Sequence, residues 1–434
     1  MTPLELIHGL HWSDLPPPVQ ARAELVLLDL IGIAAGGHGT RLSHIIRDHA
    51  AEMFGGSAPM LFDHRRASPP GVALAGGMMI DSLDGHDGYN PSKGHIGCAL
   101  FPAALTLAHR TGAPGAAFLA TLVMGYEFGA RAAEALHGTA ADFHTSGSWG
   151  AVTAAAAAAR LLKLDRETTR HALGIAEYHG PRSQMMRCID HPTMVKDGSG
   201  WGSMAGVSAA LLSQKGFTGA PAVTVEDAPE HWADLGDRWA ILEQYFKPYP
   251  VCRWAHAPVE AVLALRRAHD LGPDQVERIE IETFHEAVRL AVKEPKLSDE
   301  AQYSTSYPAA LAMVHGGIRA EHLADDALTD PEVMRLSRSM VLRESDFANA
   351  EFPLRRFARV TLVLRGGRDV HSGWVTPRWD HTDPPSSEEL RAKYHDLADP
   401  VLGRSRADAI EDALSTLPKT GLAPLTDQLF APIS

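Results

Sequence analysis

Phe357 to Thr376 reads FARVTLVLRGGRDVHSGWVT. Two β-rich runs flank Gly366-Gly367, and a glycine pair between such runs predicts a hairpin. Upstream, VERIEIETF (Val276 to Phe284) alternates, with Ile279 and Ile281 on one face and Glu280 and Glu282 on the other. That period of two predicts a half-exposed strand. Helical pieces near Pro308 to His315 and Pro331 to Ser337 lie between the β-runs.

Outside this stretch the chain predicts helix after helix. Pro16 to Pro18 open VQARAELVLLDLIGIAAGG, whose apolar residues recur three and four apart until Gly36 and Gly37. Ala99 to Ala108 and Ala116 to Leu136 repeat the pattern, with Gly112 and Pro114 between them. GAVTAAAAAARLLKLD (Gly150 to Asp165) is almost all strong helix former, and its alanines suit a close helix–helix contact. Asp165 predicts the cap of the next helix, and a small-residue helix follows from Gly202 to Gln214. Near the end, Ser386 and Glu389 form a capping-box pattern opening SSEELRAKYHDLA, with ADAIEDALSTL after it. The predicted fold class is mainly α with an α+β lid. A large all-helical domain is built from both chain ends (1–244 and 388–434), and a smaller α+β domain is inserted at 245–387.

At 434 residues the chain is too long for one small core. A hydrophobic content of 45% with 21% charged residues predicts a soluble globular protein. The formal charge of −13 argues against nucleic acid or an anionic membrane as partner. It also means that a cationic pocket for an acidic substrate must be built locally. Cys98, Cys188 and Cys252 lie far apart with no CxxC pair, which fits a reduced cytosol and predicts neither disulfide nor zinc knuckle. MTPLELIHGLHWSDLPPP lacks the layout of a signal peptide, and the apolar run Leu25 to Ala35, interrupted by Asp29, is too short to span a bilayer. A cytoplasmic protein is expected.

The chemistry concentrates in separated, glycine-flanked motifs. DSLDGHDGYNPSKGHIG (Asp81 to Gly97) holds Asp81, Asp84, Asp87, His86 and His95 straight after an apolar run. Its acids and His86 are all possible metal ligands. The spacing matches no zinc signature such as HExxH, and hard-ion loops use more oxygens in a tighter pattern, so no metal is expected. His144 stands in FHTSGSWG, where it serves either as a cap or at the anion-favouring start of a helix. Ser146 and Ser148 lack the GxSxG setting of a hydrolase nucleophile. Lys196, in HPTMVKDGSGWGSMAG, follows Arg182, Arg187 and His191, and a partly buried lysine there acts as a base or grips a carboxylate. Lys247, Arg253 and His256 share FKPYPVCRWAH at the predicted domain border, where a substrate cleft is expected. Tyr307, in YSTSYPAAL, is a buried phenol or a proton donor. Neither GxGxxG after a strand nor GxxxxGK[ST] is present.

Taken in order, these motifs resemble the MmgE/PrpD superfamily, whose members include 2-methylcitrate dehydratase, cis-aconitate decarboxylase and iminodisuccinate epimerase. The resemblance runs from LLDLIGIAAGG through GYEFGAR, FHTSGSWGAVTAAAAAARLLKLD, KGFTGAP and FKPYPVCRWAH to SSEELRAKYHDLA. It implies a helical domain from both chain ends with an α+β lid, a homodimer, and no metal or organic cofactor. By matching motifs, Asp81 and His95 take the family's early acidic and histidine positions. His144 falls on the FH histidine, Lys196 on the central lysine, Lys247 on the KPYP lysine and Tyr307 on the lid tyrosine. The family's usual DFDDTH is here DSLDGHDGYNPSKGH, with Gly85 in place of the threonine and a longer loop before His95.

The implied activity is a cofactor-independent, 2-methylcitrate dehydratase-like lyase acting on a small di- or tricarboxylate. Epimerase, decarboxylase and non-catalytic helical dimer are the alternatives. Asp81, His95, His144, Lys196 and Tyr307 are the expected catalytic residues, with Lys247, Arg187 and His256 holding substrate. His95 or Lys196 would take a proton alpha to a carboxylate, and His144 or Tyr307 would protonate the departing hydroxyl in a dehydratase or return a proton to the opposite face in an epimerase.

Overall fold

The computed structural model describes residues 1–290 and 292–433. The chain is 60% helix and 9% strand, so the mainly α class holds. Among the described residues no helix is long and apolar enough to cross a membrane.

The β-rich stretch forms a four-stranded mixed sheet in the order Val341–Glu344, Val276–Thr283, Ala358–Leu364, Asp369–His371. The first pair is parallel and the others antiparallel. Ile279 faces Leu362 and Ile281 faces Val360 in register, which buries that side of both strands. The predicted hairpin closes at Gly366 and Gly367, both with the left-handed φ (117° and 82°) that glycine adopts without strain. The parallel strand Val341–Glu344, lacking the alternation of its neighbour, has no signature in the sequence and is recruited by the sheet edge.

A large apolar cluster runs from Leu6 to Phe246 and resumes at Trp379 to Leu429, so the C-terminal helices pack back onto the N-terminal ones. A second cluster, from Tyr249 to Val370, lies under the sheet. Helix Pro17–Gly37 packs against Ser387–Leu402, whose predicted capping box is present. Asp165 caps its helix through Thr168 N–H. The alanine-rich helix spans Gly147–Leu161, starting and stopping earlier than its composition predicts, with the chain turning at Lys163 (φ 55°).

Ala154 to Ala159 are fully buried, as a close helix contact requires. Helix Ser199–Ser213 presses onto them: a Cβ on Gly206 would lie 2.3 Å from the Ala151 carbonyl oxygen and 2.7 Å from Ala155 N. Backbone on both sides leaves no flexible atom to yield. Gly206→Ala is therefore expected to cost about 1–3 kcal/mol by forcing the helices apart, measured by urea denaturation.

Two short antiparallel pairings hold distant segments together. Gly88–Tyr89 pairs with Gln244–Tyr245, which brings the acid/histidine segment beside the chain leading to Lys247. Lys393, on helix Ser387–Leu402, is buried between Asp29, its ion-pair partner, and the Gly85 carbonyl oxygen at 2.7 Å. Both chain ends thereby fix the backbone between Asp84 and His86.

Candidate active site

The helix Pro69–Asp81 runs into the acid/histidine segment, and helix Gly97–Thr111 leaves it. Asp81, Asp84, His86, Asp87 and His95 are all buried. Burial penalises the charged form of each group, and its neighbours then decide which stay ionised. Asp84 is the clear case. Its carboxylate meets the Lys247 ammonium, which also donates to the Asp84 carbonyl oxygen at 3.0 Å. Its N–H donates to Gln302 Oε1 at 2.8 Å. Burial works against ionisation, yet the Lys247 charge, with His95 and His86, holds the Asp84 carboxyl well below the usual range. Asp81 and Asp87 go the other way. Burial raises both, and Asp87, with the Asp29 charge adding to the effect, reaches about 7.

His95 is held from three sides. Its N–H donates to Ser146 Oγ at 2.9 Å, its carbonyl oxygen accepts from Trp149 Nε1 at 2.9 Å, and ring Nδ1 lies 2.6 Å from the Asp87 carbonyl oxygen. A carbonyl oxygen only accepts, so Nδ1 carries the hydrogen and Nε2 keeps its lone pair. Nε2 points between Asp84 Oδ1 and Asp197 Oδ2, each 3.8 Å away. Burial, with the charges of His86 and Lys247, lowers His95 to about 4, so the ring is neutral at neutral pH. Asp197 accepts from Ser146 Oγ at 2.8 Å, and burial pushes it up to about 6. A neutral imidazole beside a carboxyl that titrates near 6 is a pair able to take or give one proton.

Lys196 reaches the same region from a left-handed backbone (φ 48°). Its ammonium donates to Gln302 Oε1 at 2.7 Å, pairs with Asp299 Oδ1 at 3.3 Å and lies 5.0 Å from the Tyr303 ring centroid. Gln302 is the hub the sequence did not reveal: one oxygen serves both Lys196 and Asp84 N–H, and its Nε2 donates to Ser82 O at 3.0 Å.

Asp84, Lys93, His95, Asp197, Tyr245, Lys247, Arg253 and Tyr303 share a cavity of about 30 Å³ with Met185, Ile189, Cys252 and Trp254. That volume accommodates about two waters. The structure thus brings His95 and Lys247 together on the cavity wall, with Asp81 behind them 3.4 Å from His86 Nε2. Lys196 does not line this cavity: its ammonium lies against the ring of the lining residue Tyr303, and the residue lines a neighbouring pocket.

The other expected residues lie elsewhere. Tyr307 is buried under the sheet, its hydroxyl without a partner and Asp330 the one charge shifting it, whereas Tyr303, four residues earlier, and Tyr245 are the phenols in the cavity. His144 is tied to Asp142, with Nδ1 3.1 Å from its carbonyl oxygen, and does not line the cavity. His256 is buried with Nε2 3.0 Å from Val251 O, also off the lining. Arg187 is exposed and lines that neighbouring pocket, of about 390 Å³, together with Lys196, His191 and Trp201. Asp197 was legible as the residue after Lys196, but nothing in the sequence marked it over other aspartates. Lys93 was visible in the longer loop without a motif to single it out.

Asp84, His86 and His95 have ligand atoms within 4.8 Å of one another, the one fully buried trio of this kind among the described residues. The Lys247 ammonium already neutralises Asp84, so a divalent cation there has to displace it.

The chain matches the model of the MmgE/PrpD N-terminal domain over residues 4–233 and that of the C-terminal domain over residues 249–418. The chain belongs to the MmgE/PrpD family. Similar proteins include a cis-aconitate decarboxylase-like protein of Aspergillus oryzae, 25% identical over 93% of this chain and 91% of the relative. A cis-aconitate decarboxylase of Aspergillus terreus is 24% identical over 98% of this chain and 95% of its own. One from Mus musculus is 23% identical, with 95% and 89% covered. The GYEFGAR motif is structural in this MmgE/PrpD chain. Arg131 is buried against Glu127 and Asp234, and Glu127 accepts the N–H groups of Ala240 and Ile241 at 2.9 and 3.0 Å.

Proposed function

We propose that the chain is a cofactor-independent lyase that moves a proton at a carbon beside a carboxylate of a small di- or tricarboxylate. The observation that carries this reading is His95, whose neutral ring presents Nε2 to the cavity between Asp84 and Asp197. Lys247 and Lys196 are paired with Asp84 and Asp299, so these acids stay compensated while His95 exchanges its proton in a site with room for little water. The division of the chain into 1–244 with 388–434 and an inserted 245–387 is part of the proposal. It sets the cavity at the border, with Asp84, His95 and Asp197 on one wall and Lys247, Arg253 and Tyr303 on the other. With room for so little solvent, the walls have to part to admit substrate. A cytoplasmic homodimer completes the reading, checked by light scattering and fractionation.

Decarboxylation of cis-aconitate is the first reaction to test, because the fungal and mouse relatives carry it in their descriptions. One carbon–carbon bond to a carboxylate breaks and releases carbon dioxide. Its electrons shift the double bond, and the far alkene carbon takes a proton from the His95–Asp197 pair. Dehydration of a 2-methylcitrate-like acid is the second reaction, because a neutral His95 suits removal of an alpha proton.

The two differ in pH dependence. A protonation step needs the proton that Asp197 holds up to about pH 6. Its kcat/KM is expected to fall about tenfold per pH unit above that point. Proton removal needs neutral His95, so that rate falls only as the pH drops through about 4. Proton NMR in D2O with cis-aconitate, 2-methylcitrate, citrate and iminodisuccinate offered separately identifies the reaction. A five-carbon diacid with deuterium at one carbon means decarboxylation, and a new vinyl signal from a saturated acid means dehydration. Activity is expected to survive dialysis against a chelator, and its loss with recovery on added metal overturns the cofactor-independent reading.

A further inference from the structure

The lysines at the site are already neutralised: Lys247 by Asp84, and Lys196 by Asp299. Spare positive charge lies at one corner of the cavity instead. Lys93 lines it from the loop Asn90–Lys93, held there by a left-handed backbone (φ 57°), with Nζ 4.1 Å from the Phe143 ring centroid. Its one hydrogen bond is to Pro91 O at 3.1 Å, and among the described residues it has no carboxylate partner. Burial and the charge of Arg356 bring its ammonium down to about 8. Arg356 is buried, donates to Asn90 Oδ1 and also has no ion-pair partner among the described residues, with its Nε unpartnered. Arg253 lines the cavity, stands 4.5 Å over the Tyr245 ring and likewise leaves Nε unpartnered.

The one carboxylate at this corner is Asp380, 3.4 Å from Arg253 Nη2 and 2.9 Å from Asn90 Nδ2. Three cations against one carboxylate leave an excess of positive charge in a protein whose net charge is −13. Buried charge of one sign is costly unless an anion joins it. We infer that the corner formed by Lys93, Arg253 and Arg356 binds one carboxylate of the substrate and selects acids by the number of carboxylates they carry. This rests on the proposed carboxylate substrate and names the residues that set its class. Lys93 supplies the adjustable contact, because it is half-buried and tied to nothing acidic.

The test uses the full chain and two unreactive probes that differ by a single carboxylate, propane-1,2,3-tricarboxylate and glutarate, titrated by calorimetry. Wild type is expected to bind the tricarboxylate at least about tenfold more tightly than glutarate. Lys93→Met should abolish that preference, and Lys93→Arg should restore most of it. On a turned-over acid, Lys93→Met should raise KM with kcat little changed, the mark of lost uniform binding. An unchanged preference in Lys93→Met, with native circular dichroism, overturns the inference. A Lys93-dependent preference in a protein that turns over none of the acids upholds the anion corner and overturns the proposed reaction. No binding of either probe overturns the corner, whatever the activity.

Discussion

Replacing His95 by asparagine is expected to lower kcat/KM about 10²- to 10⁴-fold with little change in melting temperature. The asparagine amide reaches where Nδ1 stands and keeps a donor on the Asp87 carbonyl oxygen, now 2.6 Å from the ring. Ser146 and Trp149 hold the residue through its backbone, so those bonds survive any substitution. What disappears is Nε2, the lone pair between Asp84 and Asp197. Solvent deuterium should cease to enter product at the same time as turnover stops. A variant that keeps half its activity would move proton transfer to Asp197 acting alone. Asp197→Asn then separates the two: it should remove protonation at pH 6 and spare a reaction that needs only neutral His95.

Lys247→Met is expected to cost about 3–5 kcal/mol of stability at neutral pH, because it leaves Asp84 as a buried, uncompensated carboxylate. In wild type the lysine depresses the Asp84 pKa below the unfolded value, so the pair's contribution is present above about pH 4 and is lost as pH falls toward the folded pKa. In the variant, burial acts without the lysine and raises the Asp84 pKa. Its deficit is therefore greatest at neutral pH and narrows on acidification, once Asp84 binds a proton. Lys247→Met combined with Asp84→Asn should recover much of the lost stability, since the uncompensated charge is then gone. Chemical denaturation at pH 5 and pH 7.5 checks both statements. A deficit that is equal at the two pH values would mean that Lys247 contributes by packing and not by its charge.

The fold was largely legible because its signals are local. Period-two alternation at Ile279 and Ile281, paired glycines at 366 and 367, the capping box at Ser386 and Glu389, and the cap at Asp165 each bias a few neighbouring residues. They act whatever the rest of the chain does. The strand Val341–Glu344 escaped because a partner strand, and not its own composition, makes it one.

For the site, the sequence by itself determined the chemistry on offer: the acids and histidines of 81–95, Lys196 and Lys247. It also determined that any cationic pocket in so acidic a chain is a local construction. Only the tertiary structure decided which of these groups meet. Gly88–Tyr89 pairing with Gln244–Tyr245 joins His95 to Lys247 across about a third of the chain, and no local pattern encodes a two-residue bridge. The same packing turned Tyr303 rather than Tyr307 to the cavity, left His144, His256 and Arg187 off its walls, and set Lys93 beside Arg253. The reason is physical. Periodicity and capping act over one or two turns, whereas protonation states and charge pairing depend on burial and on neighbours that only the folded chain supplies.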